Sequence, residues 1–533
     1  MINIKRYSGI LTLAAITLFS SCSEWDDHFE TDNNVSHATS NLYEALCQNS
    51  ETSRFAELAA SVGYDKVLSS SQTYTVFAPS NEALANLETS NEEEIKKIVT
   101  NHIARYTNPT STSTKEGVRM LNGKTYQFDN NTSFEGCHID LANLRSTNGL
   151  LHQIDKQIPY ANNIYEHIQS NPKYSKLYQF IHQFDENKFD EENSVEVDID
   201  EEGRPVYDII MVSYNRLLEN KLYGLGHIAN EDSTYSMILP DNQAWDAAYN
   251  RISPYFKVYD TNTDKADSIQ QVRTQLAILS DLIYRGKHAT PESEDSLVST
   301  SGSIIHQPST LFSSATREQA SNGNVFSVSQ LNYDNTETWN KPISVEGEEQ
   351  NGRSYNNTLV SVYTRNVKAE SSVKNVSGDS YIEVQPISVA TNPSVTFEIP
   401  NVLAGKYNVY AVLLPATMEG EEVELDSTKI QFSITYVNAN GRNTTKSNRS
   451  KGLITKSREM TKMLAFENLE FPVSDYTDNL WRMDENNREE DLKVKTTMTV
   501  MTNVTAKEYS SKTYTRTFRL DRIILEPIKN YTS

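Results

Sequence analysis

Positive charge is what this chain is short of: 49 Lys and Arg stand against 71 Asp and Glu in 533 residues, a formal net charge of −22. Nucleic-acid binding is excluded as a function class, because affinity there comes from neutralised phosphates. A basic patch for anionic lipid is missing for the same reason, and the excess of negative charge suits a soluble body. Cysteine is scarce, with Cys22, Cys47 and Cys137 the whole supply. That rules out a disulfide-dense scaffold, and two lone thiols make a poor metal site. Tryptophan is sparse at 4, although tyrosine reaches 29. Catalytic motifs are missing as well: there is no His-Glu-x-x-His, no Gly-x-Ser-x-Gly and no Walker loop. Gly224 to Ala229 matches a dinucleotide fingerprint only loosely, with no βαβ unit around it. No enzyme, cofactor or metal is expected.

Long apolar runs are equally rare. One lies behind Lys5 and Arg6, from Ile10 to Phe19, and it is too short to span a bilayer as a helix. It ends in Leu18-Phe19-Ser20-Ser21-Cys22, which resembles the lipobox of bacterial lipoproteins, with Phe19 departing from the tightest form. The resemblance implies a signal peptide over 1–21 and a lipid on Cys22. Several acyl chains at roughly 0.8 kcal/mol per buried methylene hold a protein firmly to a membrane. The acidic stretch Ser23 to His28, within a leader over 22–36, resembles the surface-export signal of Bacteroidetes lipoproteins. The expected location is therefore the outer membrane, lipid-anchored and cell-surface exposed.

Self-similarity decides the fold class. Residues 73–84 and 234–245 align with Thr73/Thr234, Tyr74/Tyr235, Pro79/Pro240, Asn81/Asn242 and Ala83/Ala244 in register. A second pair follows each, Asn148-Gly149 through Asp155 and Asn322-Gly323 through Val328. Tyr74 to Phe77 predicts a short strand, closed by Pro79 and followed by Ser80 as a helix N-cap. Ser90 with Glu93 predicts a capping box. Ile95, Ile98, Val99, His102, Ile103 and Tyr106 predict one apolar helix stripe. Asn148-Gly149 predicts a turn into a buried strand through Leu151 and Ile154.

These segments resemble the fasciclin (FAS1) family. The signatures are Thr75, Val76, Phe77, Ala78, Pro79 and Asn81 in the first block and Asn148, Gly149, His152 and Asp155 in the last. A divergent second copy keeps Pro240, Asn242, Asn322 and Gly323, with Leu282-Ile283-Tyr284 in place of the central element. The resemblance implies two α+β fasciclin domains in tandem, over 37–162 and 163–338. The second carries an acidic insert over 190–207, of a kind that resembles those of gut Bacteroidales fasciclin lipoproteins.

From about 339 to 533 the apolar period changes to two, as in Val395/Phe397/Ile399, Tyr407/Val409/Ala411/Leu413 and Ile430/Phe432/Ile434/Tyr436. Strands of that kind, with Phe518 to Pro527 closing the set, predict a mostly antiparallel, jelly-roll-like β-sandwich. Its closing strand resembles those of carbohydrate-binding modules. Loops are expected at 365–380, 441–458 and 471–492.

His152 with Asp155 is the most tempting catalytic pair, but on a core strand a packing and hydrogen-bonding role is expected for His152. A structural role is expected for His102 too. Asp198, Asp200, Glu202 and Gly203 occupy positions of a calcium loop whose twelfth residue, Ile209, cannot ligate, so a solvated turn is expected. Cys47 and Cys137 can form a disulfide or remain separate thiols. Tyr476 and Trp481 are candidates for stacking on sugar rings. Ser268, Ser296 and Ser427, each after an Asp, resemble O-glycosylation acceptors of Bacteroides envelope proteins; Ser233 fits the pattern but abuts a buried strand.

The expected function is non-catalytic adhesion or binding at the cell surface. The family resemblance implies an accessory subunit of a TonB-dependent outer-membrane nutrient importer and its lid lipoprotein, taking a glycan or peptide. The alternative is a stand-alone carbohydrate binder using the C-terminal β-sandwich.

Overall fold

The computed structural model describes residues 39–87, 90–111, 117–189, 195–199, 205–208, 211–221, 224–368, 373–416, 427–448, 452–475 and 493–528. The chain divides into two compact units, Met1–Tyr160 and Ala161–Ser533.

In the first unit a six-stranded sheet is built around two buried strands, Tyr74–Pro79 and Gly149–Ile154, which run parallel. Ile103–Arg105 pairs antiparallel with the first of these strands, and Cys137–Ser146 antiparallel with the second. Helices Leu42–Gln48, Ser53–Ser61, Tyr64–Leu68 and Glu92–Asn101 contribute Leu46, Phe55, Leu68 and Val99 to a core shared with Val76, Ile103 and Leu151. Burying aliphatic and aromatic side chains of this size stabilises the fold by roughly 1.5–3 kcal/mol each.

Several local expectations give way to tertiary detail. The N-cap of Glu92–Asn101 is Asn91, whose side chain accepts from the amides of Glu93 and Glu94, so Ser90 forms no capping box. That helix stops at Asn101, short of the predicted stripe. Ile103 has moved onto a strand, while Tyr106 is 73% exposed with φ of 66°. Ser80 Oγ accepts from the Ala83 amide at the start of a turn, with no helix following.

The second unit contains a four-stranded sheet in the order Ile283–Arg285, Tyr235–Pro240, Gly323–Val328, Thr316–Ala320. Its pairing senses repeat those of the first unit: antiparallel, parallel, antiparallel. Here a helix, Asn242–Ile252, does follow the first buried strand, capped by Asp241. The predicted insert belongs to a longer ribbon, in which Asp185–Phe189 pairs with Met211–Asn215 and Val195–Ile199 with Pro205–Asp208.

Two six-stranded antiparallel sheets complete this unit. One runs Val360–Asn366, Ser380–Pro386, Phe518–Pro527, Gly405–Leu413, Thr461–Phe471, with Ile343–Glu346 also on the long closing strand. The other runs Arg353–Ser354, Ser394–Glu398, Thr497–Thr502, Lys429–Val437, Asn443–Ser447, with Leu453–Ile454 added to Lys429–Val437. Part of the expected 441–458 loop is thus strand. Both sheets feed one core, with Ile382, Val409, Ala411, Leu520 and Ile523 from the first and Phe397, Phe432, Ile434 and Val500 from the second. Alternation along each strand sends the intervening residues to the outer faces.

Candidate functional site

The signature residues of the first unit hold its frame. Asn148 Oδ1 accepts from the Leu42 amide at 2.8 Å, and Nδ2 donates to the carbonyls of Leu68 and Ser70, both at 2.8 Å. Asn322 repeats this in the second unit, accepting from the Ile164 amide and donating to the carbonyls of Ile228 and Asn230. Asn81 accepts from the Arg54 amide, and Asn242 from the Lys176 amide. Gly149 and Gly323 lie where a Cβ would sit 1.9 Å from the Tyr74 carbonyl oxygen and 1.8 Å from that of Tyr235. Thr75 Oγ1 donates to the Tyr106 carbonyl. Val76, Phe77 and Ala78 are fully buried, and Phe77 stacks on Phe134 and on His152. Pro79 and Pro240 end the buried strands. These are scaffold roles.

His152 and Asp155 do not act together. The Asn143 amide donates to His152 Nδ1 at 3.2 Å, which places the ring proton on Nε2, donating to the Asn108 carbonyl at 3.0 Å. Asp155 Oδ1 accepts from the His138 amide instead. His102 takes the opposite tautomer: the Ile158 amide donates to Nε2 at 2.9 Å, and Nδ1 donates to the Ile98 carbonyl at 2.8 Å. Burial disfavours the imidazolium in both rings; the carbonyl contacts oppose this, and His102 falls to about 4. Since His102 has a folded pKa below the unfolded value of 6.5, the unfolded state binds its proton first. The first unit therefore loses about 3 kcal/mol from this ring as pH falls from 6.5 through 4. NMR titration of the His102 ring is expected to show a midpoint near 4; a midpoint above 6 would contradict the buried neutral ring.

Cys47 and Cys137 are not joined. Cys47 is exposed on the Leu42–Gln48 helix, whereas Cys137 is buried, its Sγ 3.6 Å from the Gln157 carbonyl. Cys22, Tyr476, Trp481, Asp200, Glu202 and Gly203 lie outside the described residues, and Asp198 sits on the Val195–Ile199 strand. Ser268, on helix Thr263–Leu279, and Ser296 are exposed, while Ser233 and Ser427 are half-buried. Among the described residues no group of three His, Cys, Asp or Glu side chains is placed to hold a metal ion, and no helix is long and apolar enough to cross a membrane.

A connected polar array lies where sequence reasoning did not look, on the outer face of the first sandwich sheet. Tyr363, Glu383 and Arg519 stand in one row across three adjacent strands, because Tyr363 pairs with Glu383 and Glu383 with Arg519. Glu383 is the hub. Its Oε2 accepts from Arg519 Nε at 2.9 Å and Nη2 at 2.7 Å, and its Oε1 from Arg365 Nη2 at 3.1 Å and Gln385 Nε2 at 2.9 Å. Burial pushes the Glu383 carboxyl upward, but the bonds and charges of Arg519, then Arg365, outweigh it and hold the group below its ordinary range. Arg519 is anchored further by the Ala416 carbonyl at 2.8 Å. Arg365 lies over the Tyr363 ring, 4.8 Å from its centroid.

Glu383 and Arg519 are 6% and 5% exposed, while Tyr363 is 43% exposed. The result is a rigid charged floor with an open aromatic ring at the sheet edge. With Arg365 over one face of the Tyr363 ring, the ring's remaining surface can meet a sugar ring, and the part-exposed Arg365 and Gln385, not the buried pair beneath them, are placed to bond its hydroxyls. Beside it, segment 373–379 covers part of the same face, with Val373 and Val376 packed on Tyr381 and Leu414. The signal that sequence reading missed is polar alternation: Tyr363-x-Arg365, Glu383-x-Gln385 and Arg519-x-Asp521 all point away from the core.

The fasciclin domain family model matches residues 50–159. No curated protein matches the chain. The FAS1 domain pair of the insect cell adhesion molecule Fasciclin I is similar at 14% identity and a TM-score of 0.20, with 54% of this chain and 99% of that one covered. The CBM22-1–GH10 modules of a Clostridium thermocellum endo-1,4-beta-D-xylanase, complexed with xylohexaose, overlap at 13% identity, covering 36% and 28%, with a TM-score of 0.21. The CBM22-1 xylan-binding domain of a Paenibacillus barcinonensis protein gives 12%, 35% and 94%, with a TM-score of 0.20. At such scores these overlaps carry no functional argument. The family match and the residues that frame the first sheet agree, and the chain carries a fasciclin domain at residues 50–159.

Proposed function

We propose that this protein is a non-catalytic surface binding protein. In this reading two fasciclin domains form a scaffold, and a jelly-roll-like β-sandwich presents its outer face to a glycan. The observation that carries the proposal is the Tyr363–Arg365–Glu383–Gln385–Arg519 array, a preorganised polar floor with an exposed ring beside it. Fixed donors and acceptors on rigid strands bind with little ordering cost, which is what a weakly hydrophobic ligand such as an oligosaccharide requires.

The repeated Asn and Gly clamps support the reading of the second α/β sheet as a second fasciclin domain. A lipid on Cys22, placing the protein on the outer surface of a bacterial outer membrane, fits the leader sequence. Titration of the full chain with β-linked hexasaccharides, xylohexaose among them, tests the glycan reading. Tyr363→Ala is expected to weaken binding by at least about tenfold while leaving the melting temperature unchanged; flat titrations with every sugar would remove the proposal. A role as accessory subunit of a TonB-dependent importer adds a partner, and co-purification from detergent-solubilised outer membrane tests it. A stoichiometric barrel with its lid lipoprotein supports that role, and recovery of the protein alone argues against it.

A further inference from the structure

Within the second unit a cavity of about 450 Å³ opens between helix Thr263–Leu279, the Ser299–Ser303 turn and the segments that begin and line the sandwich, Thr338 to Ser344 and Pro400-Asn401. Its polar side is unusually buried. Arg273, Asp281 and Ser303 are 5%, 4% and 2% exposed, although charged groups are rarely this enclosed without a partner or a task. Asp281 Oδ1 accepts from the Ser299 hydroxyl at 2.9 Å and the Ser301 hydroxyl at 2.6 Å, which fixes the carboxylate against the turn. Lys341 Nζ reaches in from the other side and donates to a neutral group, Ser303 Oγ, at 2.7 Å. Apolar residues share the lining, among them Phe256, Leu276 and Ile343. Trp339 also lines the cavity and is held edge-on to Tyr255 with centroids 4.9 Å apart.

We infer that this cavity is a binding site for a carboxylated monosaccharide, a hexuronate. Three features choose the class. The volume falls in the ordinary range for small-ligand sites and takes one pyranose ring with a few waters. The Trp339 indole among the lining residues suits the C–H face of a ring, and the Ser301 and Ser303 hydroxyls suit its hydroxyl edge. Lys341 brings an ammonium to the cavity that bonds the neutral Ser303 hydroxyl, in a chain whose acidic residues outnumber its basic ones. The ligand carboxylate gives the Lys341 ammonium an oppositely charged acceptor in place of a neutral hydroxyl, which adds the attraction between the two charges to the hydrogen bond. The site does not depend on the sheet-face reading, since it shares no residue with that array.

Isothermal titration of the full chain with D-glucuronate tests the inference, with D-glucose and sodium acetate as comparison probes. Saturable binding of glucuronate is expected at about millimolar concentration or below, at least about tenfold tighter than either probe. Lys341→Gln is expected to remove that preference. No binding heat up to about 10 mM glucuronate, or equal binding of glucose or acetate, overturns the inference in the unmodified protein, whatever the variants do. Undiminished preference in a folded Lys341→Gln protein overturns the placement of the site.

Discussion

Gly149→Ala is expected to unfold the first unit. Gly149 pairs with Tyr74 across the central parallel strands, and an added Cβ would sit 1.9 Å from the Tyr74 carbonyl oxygen. The obstacle is backbone of a buried strand, so no side chain can swing aside. The φ of 150° adds strain for any L side chain. The neighbouring Asn148 amide ties the first helix and the Leu68–Ser70 turn to this point, so a shift here breaks two buried hydrogen bonds and one half-buried one. Together these effects exceed about 4 kcal/mol, a large part of a domain's total stability of about 5–15 kcal/mol. In calorimetry of the full chain, the transition of the first unit is expected to disappear while that of the second persists. Gly323→Ala, facing the Tyr235 carbonyl at 1.8 Å, is expected to strike the second unit in the same way. A wild-type trace for Gly149→Ala would show that the clamp is not what holds this sheet.

Glu383→Ala is expected to destabilise the sandwich by about 3–5 kcal/mol, because it leaves the buried Arg519 guanidinium without its carboxylate. Arg365 and Gln385 lose their acceptor in the same step. The pH dependence follows from the direction of the shift. Glu383 has its folded pKa held below the ordinary carboxylate value of 4.5, so the unfolded state takes up the proton first. The stabilisation is complete above 4.5 and is lost as pH falls below it. Urea midpoints at neutral and acid pH check both points: the gap between wild type and Glu383→Ala is expected to narrow on acidification. A variant as stable as wild type at neutral pH would show that the ion pair contributes no net stability.

Much of the scaffold was legible in the sequence because it is local and repetitive. Asn148-Gly149 and Asn322-Gly323 recur with the same bonds, and the period-two runs at Val395, Tyr407 and Ile430 all became core-facing strands. What failed was local capping logic under tertiary override. Asn91 displaced Ser90 as the helix cap, and a turn replaced the helix expected after Ser80. Tyr106 matched a helical period by spacing alone, yet the helix had already ended. The candidate site was illegible for a different reason. Tyr363, Glu383 and Arg519 are far apart in sequence, and only the register of three strands puts them in a row. The outward-pointing half of an alternating pattern carries that information, whereas attention went to the apolar half and to aromatics in a loop. Cys47 and Cys137 show the limit of counting: the number of thiols permits a bridge, while placement on an exposed helix face and at a buried strand position separates them.

The most direct test of the glycan-binding account is a titration of the full chain and its Tyr363→Ala variant against one panel of β-linked hexasaccharides, with melting temperatures recorded alongside. Saturable binding by the wild type, lost at least about tenfold in a variant that melts at the same temperature, is the result expected of a glycan surface built on the outer sheet face. Binding that survives Tyr363→Ala, or no binding of any sugar by the folded wild type, contradicts it.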